Sequence, residues 1–481
     1  MSEQRNRAQL QIHGFTGMYR QANFLNIPNN KVALALNCNN DILGAFQGRP
    51  GYTAFLNAPE ANPVRNIFGW KRANGDQRIF RVANGKIYKA QWGDANWGAA
   101  IKTGLVETQP IANAILGNLL FISDGVITPQ TYDDTNFNDI VDAAVPLATV
   151  AIVWKGRLYA NDSSAKSVLF YSKSGDPTSW TNSPTDPSTG SEVSIDEDNG
   201  FDIIGLSVNA EGNLIVHKEN GLYLVVPDEV GRPYEIVPLL TQSRTTSHAA
   251  ISQGERSALY FDRRGLFLSA GSLPQKISRP IEDLIKGINV SNYPSIASGF
   301  FDDKFYTSVG TITVGEQTFT NSVLVYDNDT NAFFIYTFAH LPISWQKIVD
   351  DEGAERFFFG ASNGQVYEFG VGDDDAGTPI EFRILSKPYH FDLAMEDKTG
   401  FMFAAIHNPG MAVKLRYYLD LIEKADPIEV EDLAPDGLTK TYFEEGAVGF
   451  NFWSFEVAGS YSGERPVFYG VELDVAKEGV R

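Results

Sequence analysis

The acidic segment SIDEDNGFD (194–202) offers side chains that could bind a metal ion. Asp196, Asp198 and Asp202 carry carboxylate oxygens, which are the ligands that Ca²⁺ prefers in proteins. The segment lacks the ligand spacing of an EF-hand loop and the distal glutamate that binds the ion through both oxygens. We therefore predict a solvated loop between blades here, and a hairpin turn for the similar segment YDNDTN (326–331).

A second segment, SKSGDPTSW (172–180), has the residue types of the sialidase Asp-box, Ser-x-Asp-x-Gly-x-Thr-Trp. Propellers that hydrolyse glycans place carboxylates from several blades around their axis. Here the order is wrong, because Ser174 stands in the third position and Gly175 precedes Asp176. Gly-Asp-Pro instead predicts a turn, and Trp180 is predicted to fill the gap between two neighbouring blades.

Nucleophiles and metal ligands are few and widely spaced. The single cysteine, Cys38, excludes an intramolecular disulfide and a thiolate cluster, and we interpret it as an ordinary small residue. There is no HExxH pair, Walker loop or GxSxG elbow. We predict a protein that is not an enzyme, with no catalytic, cofactor-binding or metal-binding residue. The six histidines, none at metal-ligand spacing, are His13, His217, His248, His340, His390 and His407.

The charge of the chain is strongly negative, with 59 acidic and 39 basic residues and a net charge of −20. Binding nucleic acid by neutralising phosphates requires the opposite sign, and the basic-aromatic segments DRRGLF (262–267) and FGWKR (68–72) are only turns with two charges each. The charge favours either solubility at high concentration or a surface past which DNA moves without sticking. The start of the chain is not a secretory signal, and no apolar stretch reaches the length of a membrane span, so we expect synthesis in a cytoplasm.

A strand-turn-strand unit returns along the chain, as in RIFRVANGKIYKA (78–90) and VWKGRLYANDSSAKSVLFYSK (153–173). Each unit has a turn rich in Asn, Asp or Gly, which tolerates the positive φ of tight hairpins, between runs of β-branched and aromatic residues. Many runs are apolar on both faces, as expected for sheets stacked between other sheets. The turn centres are Asn84, Asp124, Asp162, Asn220, Arg264, Asp329 and Asn363.

These units predict an all-β chain with a β-propeller over 61–375, of six or seven blades with seven favoured. An array of β-sandwiches is the alternative. The one helical pattern, 277–289, begins near Pro280 and places Ile281, Leu284 and Ile285 on one face. The run VGDDDAGTP (371–379) reads as a linker to an antiparallel β domain built from both ends of the chain.

That second domain is predicted to be sandwich-like and to span 376–481, where the apolar pattern alternates. Residues 1–60 are an extended arm with too little apolar pattern to fold alone. We expect this arm to pack with the C-terminal domain or with a neighbouring subunit.

Several of these segments, in this order, resemble one protein family. GFTGMYRQANFLNIPNNKVALALNCNNDILGAFQGRPGY (14–52) is similar to the opening of many bacteriophage virion proteins. Gly-Arg-Leu-Tyr, Leu-x-Tyr-Ser and Gly-Asp-Pro-x-x-Trp then follow within 156–180, before SIDEDNGFDIIGL (194–206) and LIVHKENGLYLV (214–225). The chain resembles the tail hub or nozzle proteins of short-tailed phages, also called packaged-DNA stabilisation proteins, over about 14–470.

The resemblance implies a structural virion protein that forms a homo-oligomeric ring, usually a hexamer, below the portal and the head-to-tail adaptor ring. Such rings continue and close the DNA channel and carry a needle, tail spikes or fibres. Genomic DNA would pass the lumen without sequence-specific binding, no membrane would be entered by this chain, and assembly would occur in the host bacterial cytoplasm. Two alternatives stay open, a propeller glycan hydrolase or glycan-binding protein, and a neck or baseplate protein of a longer phage tail.

Overall fold

The computed structural model describes residues 7–20, 26–57, 59–106, 111–197, 200–240, 244–255, 257–269, 273–389, 398–408, 413–419, 428–430, 438–442, 448–450 and 452–477. Nearly all of the regular structure in these ranges is antiparallel sheet. The all-β class predicted from the sequence is therefore confirmed.

Five short strands precede the propeller blades. They are β1 (Arg7–His13), β2 (Leu34–Leu36), β3 (Cys38–Asn39), β4 (Phe46–Gly48) and β5 (Tyr52–Ala54).

Seven blades of four strands follow. Blades 1 and 2 comprise β6 (Val64–Lys71), β7 (Gln77–Ala83), β8 (Lys86–Ala90), β9 (Ala100–Lys102), β10 (Ala112–Leu116), β11 (Leu119–Ser123), β12 (Gln130–Tyr132) and β13 (Phe137–Asp139). Blades 3 and 4 comprise β14 (Ala151–Trp154), β15 (Arg157–Ala160), β16 (Val168–Tyr171), β17 (Ser191–Ser194), β18 (Ile203–Val208), β19 (Leu214–Lys218), β20 (Gly221–Pro227) and β21 (Pro233–Leu240).

Blade 5 comprises β22 (Ile251–Gln253), β23 (Ala258–Asp262), β24 (Gly265–Ser269) and β25 (Gln275–Lys276). It is followed by a 3₁₀ turn (Arg279–Ile281), helix α1 (Glu282–Lys286) and a second 3₁₀ turn (Val290–Ser295). Blade 6 comprises β26 (Ala297–Phe301), β27 (Lys304–Val314), β28 (Gln317–Asp327) and β29 (Ala332–Thr337). Blade 7 comprises β30 (Pro342–Val349), β31 (Glu355–Ala361), β32 (Val366–Phe369) and, from the start of the chain, β5.

The last strands are β33 (Ile380–Leu385), β34 (Lys398–His407), β35 (Val413–Leu419), β36 (Ile428–Val430), β37 (Leu438–Tyr442), β38 (Val448–Phe450), β39 (Trp453–Tyr461) and β40 (Val467–Lys477).

The ring of blades closes on itself. The first strands of successive blades pack side by side from β10 to β30, and β30 packs against β6. Between blades 1 and 2, the Asn66 amide donates a hydrogen bond to the carbonyl of Ile111 at 3.1 Å. The predicted propeller is confirmed, with the favoured seven blades. The fourth strand of the last blade is β5, at 52–54. The propeller therefore includes residues that precede 61, the position at which the sequence pattern predicts its start.

The predicted hairpin turns fall one in each blade. Six of them join the second and third strands, and the turn at Asp329 joins the third and fourth strands of blade 6. Asn84 and Gly85 show the local cause, because both adopt positive φ, 55° and 63°, which an Asn-Gly hairpin turn requires. The predicted helix is also present, with Ile281, Leu284 and Ile285 buried.

The two ends of the chain form two further sheets. Strand β2 lies between β29 of blade 6 and β33, so blade 6 continues into a sheet of nine strands that ends β33-β39-β35-β36. The other sheet has β40 at its centre, paired with β1, β4 and β34. Phe455 and Phe468 pack between the two sheets with ring centroids 5.7 Å apart. The N-terminal segment thus pairs with C-terminal strands of its own chain.

The largest hydrophobic cluster spans the joint between blades 5 to 7 and these end sheets. It includes residues of the N-terminal segment such as Phe15 and Leu34, of blade 6 such as Phe334, and of the last strands such as Trp453. Because this apolar core is continuous, the end sheets are packed against the propeller rather than tethered to it. Within the described residues, no helix is long and apolar enough to cross a membrane.

Candidate functional site

The propeller axis holds a cavity of about 250 Å³. It lies where the first strands of the blades begin, and six of the seven first strands contribute residues that lie at or near their starts: β6, β10, β14, β22, β26 and β30. Because strands alternate in direction, the turns between second and third strands lie at this same end. Polar lining residues include Arg65, Asn66, Asn113, His248, Ser298 and Gln346.

The lining of this axial cavity includes no aspartate or glutamate among the described residues. A glycan hydrolase needs two carboxyl groups about 5–10 Å apart across its substrate. Arg65 is the one cationic side chain of the described residues that lines the cavity, and it is exposed at its edge. The chemistry that this cavity can offer is therefore hydrogen bonding and a single positive charge.

His217, in β19, has the geometry of a Ser-His pair but is shielded from any substrate. Its Nε2 lies 2.9 Å from the Ser207 hydroxyl, and its Nδ1 faces the Thr245 hydroxyl at 3.2 Å rather than a carboxylate. The side chain is 1% exposed. Burial, with a smaller contribution from His248, lowers the pKa of His217 to about 3, so the ring is neutral at pH 7. We interpret it as a core residue with satisfied hydrogen bonds.

The histidines form no metal site in the part of the chain that the structure describes, where no group of three His, Cys, Asp or Glu side chains could hold an ion. His390 lies outside the described residues. Cys38 is fully buried, and burial raises the pKa of its thiol well above the usual range. A buried thiol of this kind is unreactive.

The acidic segment 194–202 packs against a cation from strand β19. Lys218 is fully buried and donates from Nζ to the Ile195 carbonyl at 2.7 Å, the Asp196 carbonyl at 3.2 Å and the Ser167 hydroxyl at 2.9 Å. The Tyr223 hydroxyl donates to the Asp196 carboxylate. Asp198 lies outside the described residues. The described part joins β17 to β18, which confirms the predicted loop between blades, and its carbonyl oxygens face an ammonium group.

The segment 172–180 is structural, as its residue order predicts. Trp180 is 2% exposed and packs against Phe121 of blade 2, with ring centroids 6.0 Å apart. It thereby fills the gap between blades 2 and 3. Its backbone N–H donates to Asp142 at 2.8 Å. Burial opposes ionisation of Asp142, but hydrogen bonds from Thr181, Trp180 and Ala144 lower its pKa to about 2.

Arg157, of the Gly-Arg-Leu-Tyr motif, holds the loop that carries this tryptophan. The side chain is fully buried, and its guanidinium donates to backbone carbonyls across the loop. Nη1 donates to Ser172 at 2.9 Å and to Thr189 at 2.8 Å, and Nη2 donates to Pro187 at 2.9 Å. Five donors in a planar fork suit this task, because several carbonyls are satisfied by one side chain.

The Arg-Pro-Gly-Tyr motif at 49–52 lies at the joint between the propeller and the end sheets. Arg49 donates to Asp375 at 2.8 Å, to the Thr337 carbonyl at 2.7 Å and to the Asn37 side chain at 3.0 Å. Burial opposes the charged guanidinium, but Asp375 raises the pKa of Arg49. The run predicted to be a linker, 371–379, is thus fixed to the propeller, since Asp375 is 3% exposed.

Tyr52 completes this joint. Its ring packs at 4.9 Å from Phe359 and Tyr367 of blade 7, and its hydroxyl accepts a hydrogen bond from the backbone N–H of His340 at 3.1 Å. Gly51 has no space for a side chain, because a Cβ there would lie 2.0 Å from the Asp374 carbonyl oxygen. The motif therefore needs each of these residue types for packing.

No family model matches the chain, and no curated protein matches it in sequence. Solved structures similar to it include YCF48 from Cyanidioschyzon merolae, with 11% identity, a TM-score of 0.42, and coverage of 66% of this chain and 98% of that chain. A streptogramin B lyase has 9% identity, a TM-score of 0.42 and coverage of 66% and 95%. BamB from Moraxella catarrhalis has 10% identity, a TM-score of 0.40 and coverage of 67% and 97%. The strand pairing within the chain itself defines the propeller.

Sequence reasoning missed the axial cavity and the joint at Arg49. Arg65, Asn113, His248 and Gln346 come from four blades, and no motif relates them. The available signal for the joint was Arg-Pro-Gly-Tyr itself, in which a charged residue precedes a proline that fixes φ and a glycine that permits close backbone approach.

Proposed function

We propose that this chain is a structural protein of a bacteriophage virion, the nozzle or hub ring of a short tail. The observation that carries the proposal is the role of the family-like motifs. Arg49 to Tyr52 join the propeller to the end sheets, and Arg157 and Trp180 brace one blade against the next. These residues hold strands together, which fits a protein whose work is mechanical.

The architecture supports separate roles for the propeller and for the end sheets within such a ring. A seven-bladed propeller offers exposed loops at both of its ends, where spikes, fibres or a needle can attach. The end sheets, formed by both chain termini, would build the wall of the channel and meet neighbouring subunits and the adaptor ring. A homohexamer attached below the portal and the adaptor is the proposed assembly, in the tail of the virion, after synthesis in the host bacterial cytoplasm.

Negative charge supports passage of DNA through the lumen. The net charge is −20, and part of it is concentrated beside blade 6. Burial and the carboxylates of Asp329, Glu255 and Asp302 raise the pKa of Asp303 there. A wall of this sign would repel the phosphate backbone and give no sequence-specific grip. The proposed partner is genomic DNA in transit, and no membrane insertion by this chain is proposed.

The glycan hydrolase alternative receives no support from the axial cavity. The carboxylates that such chemistry requires do not line it among the described residues, and the Asp-box-like segment serves to seat Trp180. A neck or baseplate role in a longer tail uses the same parts, so only an assembly experiment separates it from the nozzle.

The test is electron microscopy of the purified full chain, alone and mixed with tail-less heads of the phage that encodes it. A six-fold ring, free or seated on the heads below the adaptor, is the expected result. Attachment to isolated long tails rather than heads would favour the neck or baseplate role. A monomer that joins neither particle would contradict the proposal, and cleavage of glycans by that monomer would favour the hydrolase.

A further inference from the structure

The axial cavity contains a cation, Arg65, that no described residue pairs. Arg65 lies at the start of β6, and its side chain makes neither an ion pair nor a hydrogen bond with the described residues. In a chain with 20 more acidic than basic charges, this recess is lined by an arginine and by no described carboxylate.

The amide side chains around Arg65 have N–H donors with capacity left over. The amide nitrogens of Asn66 and Asn113 each make one bond, to the Ile111 carbonyl, at 3.1 and 3.4 Å, and each has a second N–H. Gln346 uses its amide nitrogen in the same way, towards the Lys347 carbonyl at 3.0 Å. The buried Nδ1 of His248 has no hydrogen-bond partner within the described part of the chain. Such a set suits an acceptor group with negative charge.

We propose that this axial cavity binds a carboxylate group, held by Arg65 and by the amide donors around it. The guanidinium supplies two parallel N–H donors that match the two oxygens of a carboxylate. The group can belong to a small carboxylic acid or to a glutamate or aspartate side chain that another polypeptide inserts on the propeller axis. The recognition chemistry is the same in both cases.

The size of the cavity limits the ligand. Its volume of about 250 Å³ lies just below the range of about 300–1,000 Å³ typical of sites for drug-sized molecules. It accepts a carboxylate with a few carbon atoms behind it, and excludes an oligosaccharide or a nucleotide from full burial. A single acidic side chain at the tip of a loop has the right dimensions.

The experiment uses saturation-transfer NMR on the full chain with two carboxylate probes, succinate and the capped tripeptide acetyl-Ala-Glu-Ala-amide. Their neutral counterparts are succinamide and the Gln tripeptide. We expect at least one carboxylate probe to bind and its neutral counterpart to bind at least about tenfold more weakly, since charge-assisted hydrogen bonds carry the recognition. Binding of succinate alone assigns the site to small acids, and binding of the peptide assigns it to a protein side chain.

Variants locate the binding. Arg65→Gln removes the charge from an exposed position and should lower the affinity for the carboxylate probe about tenfold or more. Lys71→Gln is the matched control, because Lys71 is an exposed cation on the same strand and does not line the cavity. The proposal is overturned if neither carboxylate binds, if the neutral probes bind equally well, or if Arg65→Gln, folded with an unchanged melting temperature, retains wild-type affinity.

Discussion

Arg49 and Asp375 lie 326 positions apart in the chain and form a buried ion pair, with 2.8 Å between Nη2 and Oδ2. Their side chains are 0% and 4% exposed. The same guanidinium bonds Thr337, at the end of blade 6, and Asn37, between β2 and β3. One side chain therefore ties together the N-terminal segment, the propeller and the connection to the last strands.

Removing one member of this pair should be costly. Arg49→Met leaves Asp375 buried without its cation, and breaking a buried pair in this way typically costs about 3–5 kcal/mol. Unfolding in urea, followed by tryptophan fluorescence, should show the loss. Lys347→Met, which removes a partly exposed ion pair with Glu355, is the control and should change stability by less than about 1 kcal/mol. Equal effects of the two substitutions would contradict a central role for Arg49.

Gly51 should tolerate no side chain. In Gly51→Ala the new methyl group would lie 2.0 Å from the Asp374 carbonyl oxygen, so the backbone of one segment must move. Overpacking of this kind typically costs about 1–3 kcal/mol, and the melting temperature should fall. Gly463→Ala is the matched control, since its methyl group would have no atom of the described residues within 4 Å. A Gly51→Ala protein as stable as the control would mean that the joint is looser than these distances indicate.

Local chemistry explains why much of the propeller could be predicted. Asn84 and Gly85 form a turn whatever surrounds them, and the strand Arg157–Ala160 is apolar enough to be recognised alone. Strands β2 and β5 have three residues each, and their partners lie hundreds of positions away. No local periodicity can reveal such pairing. The axial cavity was unpredictable for the same reason, because each blade contributes only a few side chains.

Closure of the ring by β5 gives a third prediction. Thr53 is exposed and pairs with Glu368 of β32, at the outer edge of blade 7. Thr53→Pro removes a backbone N–H and restricts φ, so the closing strand should detach from the ladder. Proteolysis should then cut near 52–57 faster than in the wild type. Thr53→Val preserves the N–H and suits a strand, so it should resist cleavage like the wild type. Unchanged cleavage of the proline variant would contradict closure through β5.

His217 should make the stability of the protein depend on pH from about 6.5 downwards, so that the dependence begins above the range in which carboxylates titrate. Its pKa is about 3 in the folded chain, because burial disfavours the charged ring, against about 6.5 when unfolded. The unfolded state therefore binds the extra proton first. The stability from a neutral His217 is fully present above pH 6.5 and is lost as the pH falls towards 3, by about 1.4 kcal/mol per pH unit.

The carboxylates affect the pH dependence of stability at lower pH than His217 does. Asp142, with a pKa of about 2, loses its stabilising effect only below about pH 4, the ordinary range for an aspartate. His248, whose pKa burial lowers to about 4, adds to the slope between pH 6.5 and 4.5. The interval excludes Asp142, and the contribution of His248 is common to the wild type and a His217 variant, so the difference between these two proteins reports on His217.

His217→Asn keeps an amide that can face Ser207 and Thr245, but it cannot take up a proton. Urea unfolding at pH 7.0, 6.0 and 5.0 should show a shallower decline for this variant than for the wild type, by up to about 1.4 kcal/mol per unit. His13→Asn makes the same substitution at an exposed position on β1 and is the control for the change of side chain itself. Parallel declines of wild type and His217→Asn would show that the ring is protonated in the folded protein, which its 1% exposure and two hydroxyl partners argue against.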